Sequence, residues 1–141
     1  MNLTASRPTT PCLIELPQAV DARGILTSIE SGLDIPFDAK RVFFISNVSR
    51  DRGNHAHRYT TQLLVSVAGS FTVDVSTGGA MTSYAMNDRR HALYLPPMTW
   101  LRLYDFSRDA ICLALADTTY AEASYVRDWN DFVREAASKT S

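Results

Sequence analysis

The chain has 141 residues, 45% of them hydrophobic, and a formal net charge of −1, which fits one ordinary domain with its own core. That balance gives no support to nucleic acid or an anionic membrane as a partner, although a local group of arginines can still hold a phosphate. Cys12 and Cys112 form no CxxC pattern, the start MNLTASRPTTPC lacks an apolar leader core, and no apolar run reaches membrane-spanning length, so the expectation is a cytoplasmic protein with reduced thiols.

The first residues, up to about Pro11, are rich in Ser, Thr and Pro and are expected to be a flexible segment, leaving a single domain over residues 12–138. Short segments rich in β-branched and aromatic residues follow. Residues 12–16 are the first, and residues 24–30 alternate as a half-buried strand should. Residues 41–46 and 62–68 come next, then 70–75 and 81–86, with Gly69 and Gly78-Gly79 as punctuation. Residues 92–95, 99–104 and 110–116 complete the set, and Cys112 in the last of these reads as a small core residue. Many short strands separated by turn signals predict an all-β sandwich or barrel. The end differs. Trp129, Phe132, Val133 and Ala136 fall at helical spacing after Asp128, a plausible N-cap, which predicts one C-terminal α-helix with a packing stripe.

The run Arg52-Gly53-Asn54-His55-Ala56-His57 holds two of the three histidines. In a strand, residues two apart point the same way, so His55 and His57 share a face and can serve one site. The third, His91, sits in a charged turn with Arg89 and Arg90 and reads as exposed. The chain continues to Gln62 and then to Gly69. This spacing resembles the first motif of the cupin superfamily, HxH followed by Glu and Gly, with Gln62 at the glutamate position. The segment from Pro96 to Asp105 resembles the second motif, with Met98 for glycine, Leu101 for histidine and Asp105 for asparagine. A metal-binding cupin uses three histidines and a glutamate. Here two imidazoles, a neutral amide and an aliphatic side chain remain, a poor set of ligands for a divalent transition metal. No functional metal and no cofactor are expected. Histidine exchanges protons near neutrality, so the pair suits proton transfer inside a concave site.

Further motifs narrow the resemblance. Asp21-Ala22-Arg23-Gly24-Ile25-Leu26, Ile35-Pro36-Phe37, Lys40-Arg41-Val42, the RGNHAH run, Gln62 to Val65, Leu93 to Pro97 with Trp100, and Tyr125 to Asp128 occur in an order and spacing that resemble the WxcM-like/QdtA-type cupins. These are sugar 3,4-ketoisomerases acting on dTDP-4-keto-6-deoxyglucose. The resemblance implies an RmlC-like jelly-roll barrel and a dTDP-linked keto-deoxyhexose as ligand. It also implies a homodimer with exchanged N-terminal strands, and a place in deoxysugar biosynthesis of the O-antigen lipopolysaccharide kind. It implies His57 as base, His55 as polarising or shuttling group, and Arg52 steadying the enediolate or a phosphate. Arg41 is the first choice for the diphosphate and Arg102 the second. Arg102 shares strand parity with Trp100, which would place both in one cavity, with Gln62 as a further ligand contact. The family's tyrosine pair is replaced by Phe43-Phe44, and Tyr59 is a candidate substitute hydroxyl. The competing expectations are an isomerase or epimerase on another nucleotide sugar, a non-catalytic cupin that binds a sugar nucleotide, and a metal-dependent dioxygenase-like cupin.

Overall fold

The protein is described here by a computed structural model covering residues 7–140. Residues 1–6 of the expected flexible segment lie outside the described residues. Arg7 is tied down: its Nε donates to the Pro36 carbonyl at 3.0 Å and its guanidinium meets Asp117 at 3.5 Å.

The described residues form twelve strands and one helix. They are β1 (Cys12–Glu15), β2 (Gln18–Asp21), β3 (Gly24–Thr27), β4 (Arg41–Ser46), β5 (Arg52–His57) and β6 (Gln62–Ala68). β7 (Phe71–Ser76), β8 (Thr82–Met86), β9 (His91–Leu95), β10 (Trp100–Tyr104), β11 (Ile111–Ala116), β12 (Tyr125–Val126) and α1 (Trp129–Thr140) follow. Two five-stranded antiparallel sheets form the body, in the orders β1-β9-β6-β11-β4 and β12-β5-β10-β7-β8. Between them lie Leu64, Phe71, Val73, Leu93, Leu101, Leu103 and Cys112, all nearly without solvent exposure. Cys112 is the small buried residue expected, and burial pushes its thiol up to about 12.

Each sheet also has a covered outer face. Over the first sheet, Leu16, Ile35 and Phe37 pack on Leu63, Val65, Ala92, Tyr94 and Leu115. Over the second, Phe132 and Ala136 of α1 pack on Ala56, Trp100 and Val126. The helix begins where Asp128 predicts. The Asp128 carboxylate accepts the Asp131 N–H at 3.0 Å, satisfying one of the free donors of the first turn.

One strand departs from expectation. The alternation of residues 24–30 predicts a single strand, yet β3 stops at Thr27 and pairs with β2 as a separate hairpin. The Asp34 carboxylate accepts the Glu30 N–H at 2.7 Å, and the Leu33 and Asp34 N–H groups donate to the Glu30 carbonyl. That tight turn ends the extended backbone.

Candidate active site

The RGNHAH run becomes β5, and its geometry is set by a bulge. β5 pairs with β10 with Ala56 opposite Trp100 and His55 opposite Leu101. Gly53 then stands opposite Arg102, so Asn54 is the extra residue. Gly53 has φ +84° and Asn54 φ +57°. A Cβ at Gly53 would lie 2.8 Å from the Leu101 carbonyl oxygen, so a side chain there would collide with backbone. The bulge has two effects. It brings Arg52, which regular alternation would point away from His55, to the wall of the same cavity. It also sets the Gly53 carbonyl 2.9 Å from His55 Nδ1. A carbonyl can only accept, so Nδ1 carries the hydrogen and the neutral ring keeps a lone pair on Nε2.

His57 is 5% exposed and its Nδ1 has no hydrogen-bond partner among the described residues. Burial, His55 and the guanidinium groups of Arg41 and Arg127 push its pKa down to about 3. His55 is also lowered, chiefly by burial, with the Gly53 carbonyl working the other way. Both rings are therefore neutral at pH 7. Their centroids are 5.1 Å apart, edge to face. Beyond His57 the chain turns tightly. The Met98 N–H donates to the His57 carbonyl at 2.7 Å, and Met98 has φ +60°, a conformation suited to the glycine usual at this position.

The histidines open onto a cavity of about 330 Å³ between the sheets. Arg41, Arg52 and Gln62 add polar groups, while Phe43, Ile45, Leu64, Leu101 and Leu103 form an apolar surround. The Arg41 guanidinium lies 5.5 Å from the Phe43 ring centre and 5.7 Å from that of Tyr120, and its Nε is buried without a hydrogen-bond partner among the described residues. A cation in this state is prepared for an anionic ligand. The cupin metal positions fall to Gln62 and Leu101, and both line this cavity beside the two imidazoles.

Five of the residues singled out from sequence are thus brought together: Arg41, Arg52, His55, His57 and Gln62. Three are not. Trp100 and Arg102 do share a face, but it is the outer one, because Leu101 and Leu103 take the inner positions of β10. Trp100 is 7% exposed and packs under the helix, 5.3 Å from Trp129 and 5.6 Å from Phe132 between ring centres. Arg102 is held outside by Asp51 at 2.7 Å, with Asp74 at 3.9 Å and the Tyr104 ring at 4.1 Å. Tyr59 lies just past β5, is 62% exposed and is not among the cavity-lining residues. His91 is exposed, as expected, with Nδ1 3.0 Å from Asp88.

Two tyrosines that carry no role in the sequence-based expectations also line the cavity: Tyr120 and Tyr125. Tyr125 stands directly across from His57 in the β12–β5 pair, its ring centre 4.6 Å from that of His57 and 5.1 Å from that of His55. A strand of two residues leaves no periodic signal to read. Of the Phe43-Phe44 pair only Phe43 faces the cavity, while Phe44 is 67% exposed.

Two five-stranded sheets enclosing a histidine-bearing cavity, with a helix over one outer face, define a cupin of the RmlC-like jelly-roll class. The RmlC epimerase of Mycobacterium tuberculosis shares this fold, with a TM-score of 0.66 at 17% identity over 79% of this chain and 65% of that one. Within the class the chain belongs to the family described as FdtA: WxcM-like, C-terminal, whose model matches residues 9–137. It is 33% identical over 127 residues to the TDP-4-oxo-6-deoxy-alpha-D-glucose-3,4-oxoisomerase of Aneurinibacillus thermoaerophilus, covering 89% of this chain and 91% of that protein. It is also similar to the 3,4-ketoisomerase QdtA of Thermoanaerobacterium thermosaccharolyticum, solved as a histidine-to-asparagine variant with TDP-4-keto-6-deoxyglucose. That structure has a TM-score of 0.89 at 31% identity, covering 94% of this chain and 98% of that one.

Proposed function

We propose that this protein is a nucleotide-sugar 3,4-ketoisomerase that moves the ketone of dTDP-4-keto-6-deoxyglucose from C4 to C3. The observation that carries the reading is the histidine pair in a cavity with two arginines, one ring fixed as an Nδ1 donor by the Gly53 carbonyl. The size of the cavity suits a hexose ring, with the nucleotide lying across its mouth.

The reaction removes a proton from C3, holds an enediolate and returns a proton to C4, with no net redox change. The sequence resemblance favoured His57 as base. The geometry favours His55: its free Nε2 lone pair is set by the Gly53 hydrogen bond, which also supports the protonated ring. His57, more deeply buried and pushed down to about 3, is better suited to hydrogen-bond the sugar oxygens as a neutral ring. General base catalysis of this kind contributes roughly 10²–10⁴-fold. Arg52 supplies positive charge for the enediolate, Arg41 takes the diphosphate, and Gln62 hydrogen-bonds the ligand. Arg102, Trp100 and Tyr59 have no direct part.

The assembly is a homodimer. Val20, Ile25 and Leu26 of the β2–β3 hairpin are 69%, 59% and 63% exposed, and Val42 and Phe44 of the edge strand β4 are 61% and 67% exposed. Apolar surface of this extent on a hairpin and a sheet edge fits burial against a second copy, with exchange of N-terminal strands. A nucleotide-linked substrate fits a cytoplasmic enzyme of deoxysugar biosynthesis, including sugars destined for an O-antigen lipopolysaccharide. No helix among the described residues is long and apolar enough to cross a membrane.

The test is incubation with dTDP-4-keto-6-deoxyglucose in D₂O, followed by NMR. The 3-keto isomer and deuterium at C4 are expected. Binding with no isomer and no exchange at C3 would leave a non-catalytic nucleotide-sugar cupin. Turnover only with another sugar in a dTDP-hexose panel would favour the related isomerase, a reading kept open by Phe43 and Leu101 in the cavity wall.

A further inference from the structure

Phe43 brings no hydroxyl to the cavity wall, and Tyr59, the substitute hydroxyl expected from sequence, is outside the cavity. The isomerisation still needs a group that handles protons on oxygen. Besides the C3 to C4 transfer, O4 must gain a proton and O3 must lose one. A base on carbon does not do this unaided, and two neutral imidazoles beside two arginines include no acidic O–H.

We propose that Tyr125 is this group: the general acid and base on O3 and O4. The proposal rests on the ketoisomerase reading above. Three observations converge on Tyr125. It lines the cavity. It is the cross-strand partner of His57 and packs edge-on to His55, so its ring lies against both imidazoles. It is also held in place from behind. Arg58 donates to the Tyr125 carbonyl at 2.9 Å and to Ser124 Oγ at 3.0 Å. The same guanidinium grips Glu135 of α1 with Nε and Nη2, at 3.0 and 2.8 Å. A bidentate pair fixes orientation as well as distance. The Arg127 guanidinium lies 4.5 Å from the Tyr125 ring centre, a cation beside the group that carries negative charge in mid-reaction.

The step balances. His55 Nε2 takes the C3 proton, and the C3–H electron pair forms the C3=C4 bond. The C4=O4 π pair moves to O4, which takes the Tyr125 proton. The site then holds an imidazolium, a tyrosinate and an enediol. The tyrosinate removes the O3 proton, an O3 lone pair forms C3=O3, and the C3=C4 pair takes a proton at C4 from the imidazolium, whose N–H exchanges with solvent in the lifetime of the enediol. Both side chains end as they began. Because O3 and O4 are on adjacent carbons, one phenol can serve both.

The experiment compares wild type with Tyr125→Phe on dTDP-4-keto-6-deoxyglucose across pH. The charged and titratable groups facing the phenol are His55, His57, Arg127, Arg41, Arg52 and Tyr120. Expected is a fall in kcat of about 10²-fold or more, KM within about threefold, and loss of the alkaline limb of the kcat profile. Full-length protein with 3-fluorotyrosine at position 125, whose phenol is more acidic, should move that limb to lower pH. This second arm decides the matter even when Tyr125→Phe does not fold. An unmoved limb, a kcat within about threefold of wild type, or a loss confined to KM overturns the role of Tyr125. A wild type that neither turns over nor exchanges the sugar overturns the ketoisomerase reading and this role together. A wild type that turns over with unaffected variants overturns only the role of Tyr125.

Discussion

The two faces of the sheet that carries β5 and β10 use the same ladder for different ends. On the inner face His55, His57, Leu101 and Leu103 line a cavity. On the outer face Ala56, Trp100 and Val126 lie under Phe132 and Ala136 of α1, and Arg102 makes ion pairs at the surface. Chemistry and support alternate residue by residue along one strand. The leucines of β10 screen the imidazoles of β5 on the inner face, while the tryptophan that precedes them anchors the helix. Trp100 and Leu101 are neighbours in sequence and share no task.

Separate readouts of stability and turnover test that division. The largest effect on stability belongs to Trp100→Ala. Removing a 7%-exposed indole packed on Trp129 and Phe132 should cost about 3–5 kcal/mol in denaturant unfolding, with kcat/KM of the folded fraction within about threefold of wild type. A large fall in kcat/KM in protein that stays folded would place the outer face in the site after all.

The inner face should show a smaller effect, through pH. The folded pKa of His57, about 3, lies below its unfolded value of about 6.5, so above pH 6.5 both states are neutral there. As pH falls below 6.5 the unfolded chain takes a proton that the folded chain refuses. Stability is then lost at about 1.4 kcal/mol per pH unit, or about 2 kcal/mol by pH 5, and levels off below the folded value. Unfolding at pH 7, 6 and 5 should show this slope, and His57→Gln should flatten it. An unchanged slope in the variant would mean that His57 is not the buried neutral ring described.

The smallest effect is expected for Arg102→Ala. Its close partner Asp51 is exposed and the half-buried Asp74 is 3.9 Å away, so stability should change by less than about 1 kcal/mol and kcat/KM by less than about threefold. A tenfold rise in KM would put Arg102 in contact with the nucleotide and blur the two faces.

This alternation also explains what the sequence could and could not disclose. Strand content, the C-terminal helix with its Asp128 cap and the shared face of His55 and His57 follow from period and propensity, and these match the fold. Parity showed that Trp100 and Arg102 go together but not which face they take, because β10 has apolar or aromatic residues of both parities. Only the covering helix, packed from the far end of the chain, assigns the outer face to Trp100. Arg52 was read into the site from its motif alone. The physical reason is the Gly53-Asn54 bulge, which strict alternation does not anticipate. Tyr125 depends on a two-residue pairing about seventy positions from its partner, which no local pattern encodes.

The central claim is that His55, held by the Gly53 carbonyl, is the base. Deuterium exchange at C3 of dTDP-4-keto-6-deoxyglucose in D₂O, measured for wild type and His55→Asn alongside calorimetric binding of dTDP, tests it most directly. The account predicts dTDP affinity within about threefold and exchange slowed by about 10²–10⁴-fold. Exchange within a few-fold of wild type in a variant that still binds dTDP would contradict it.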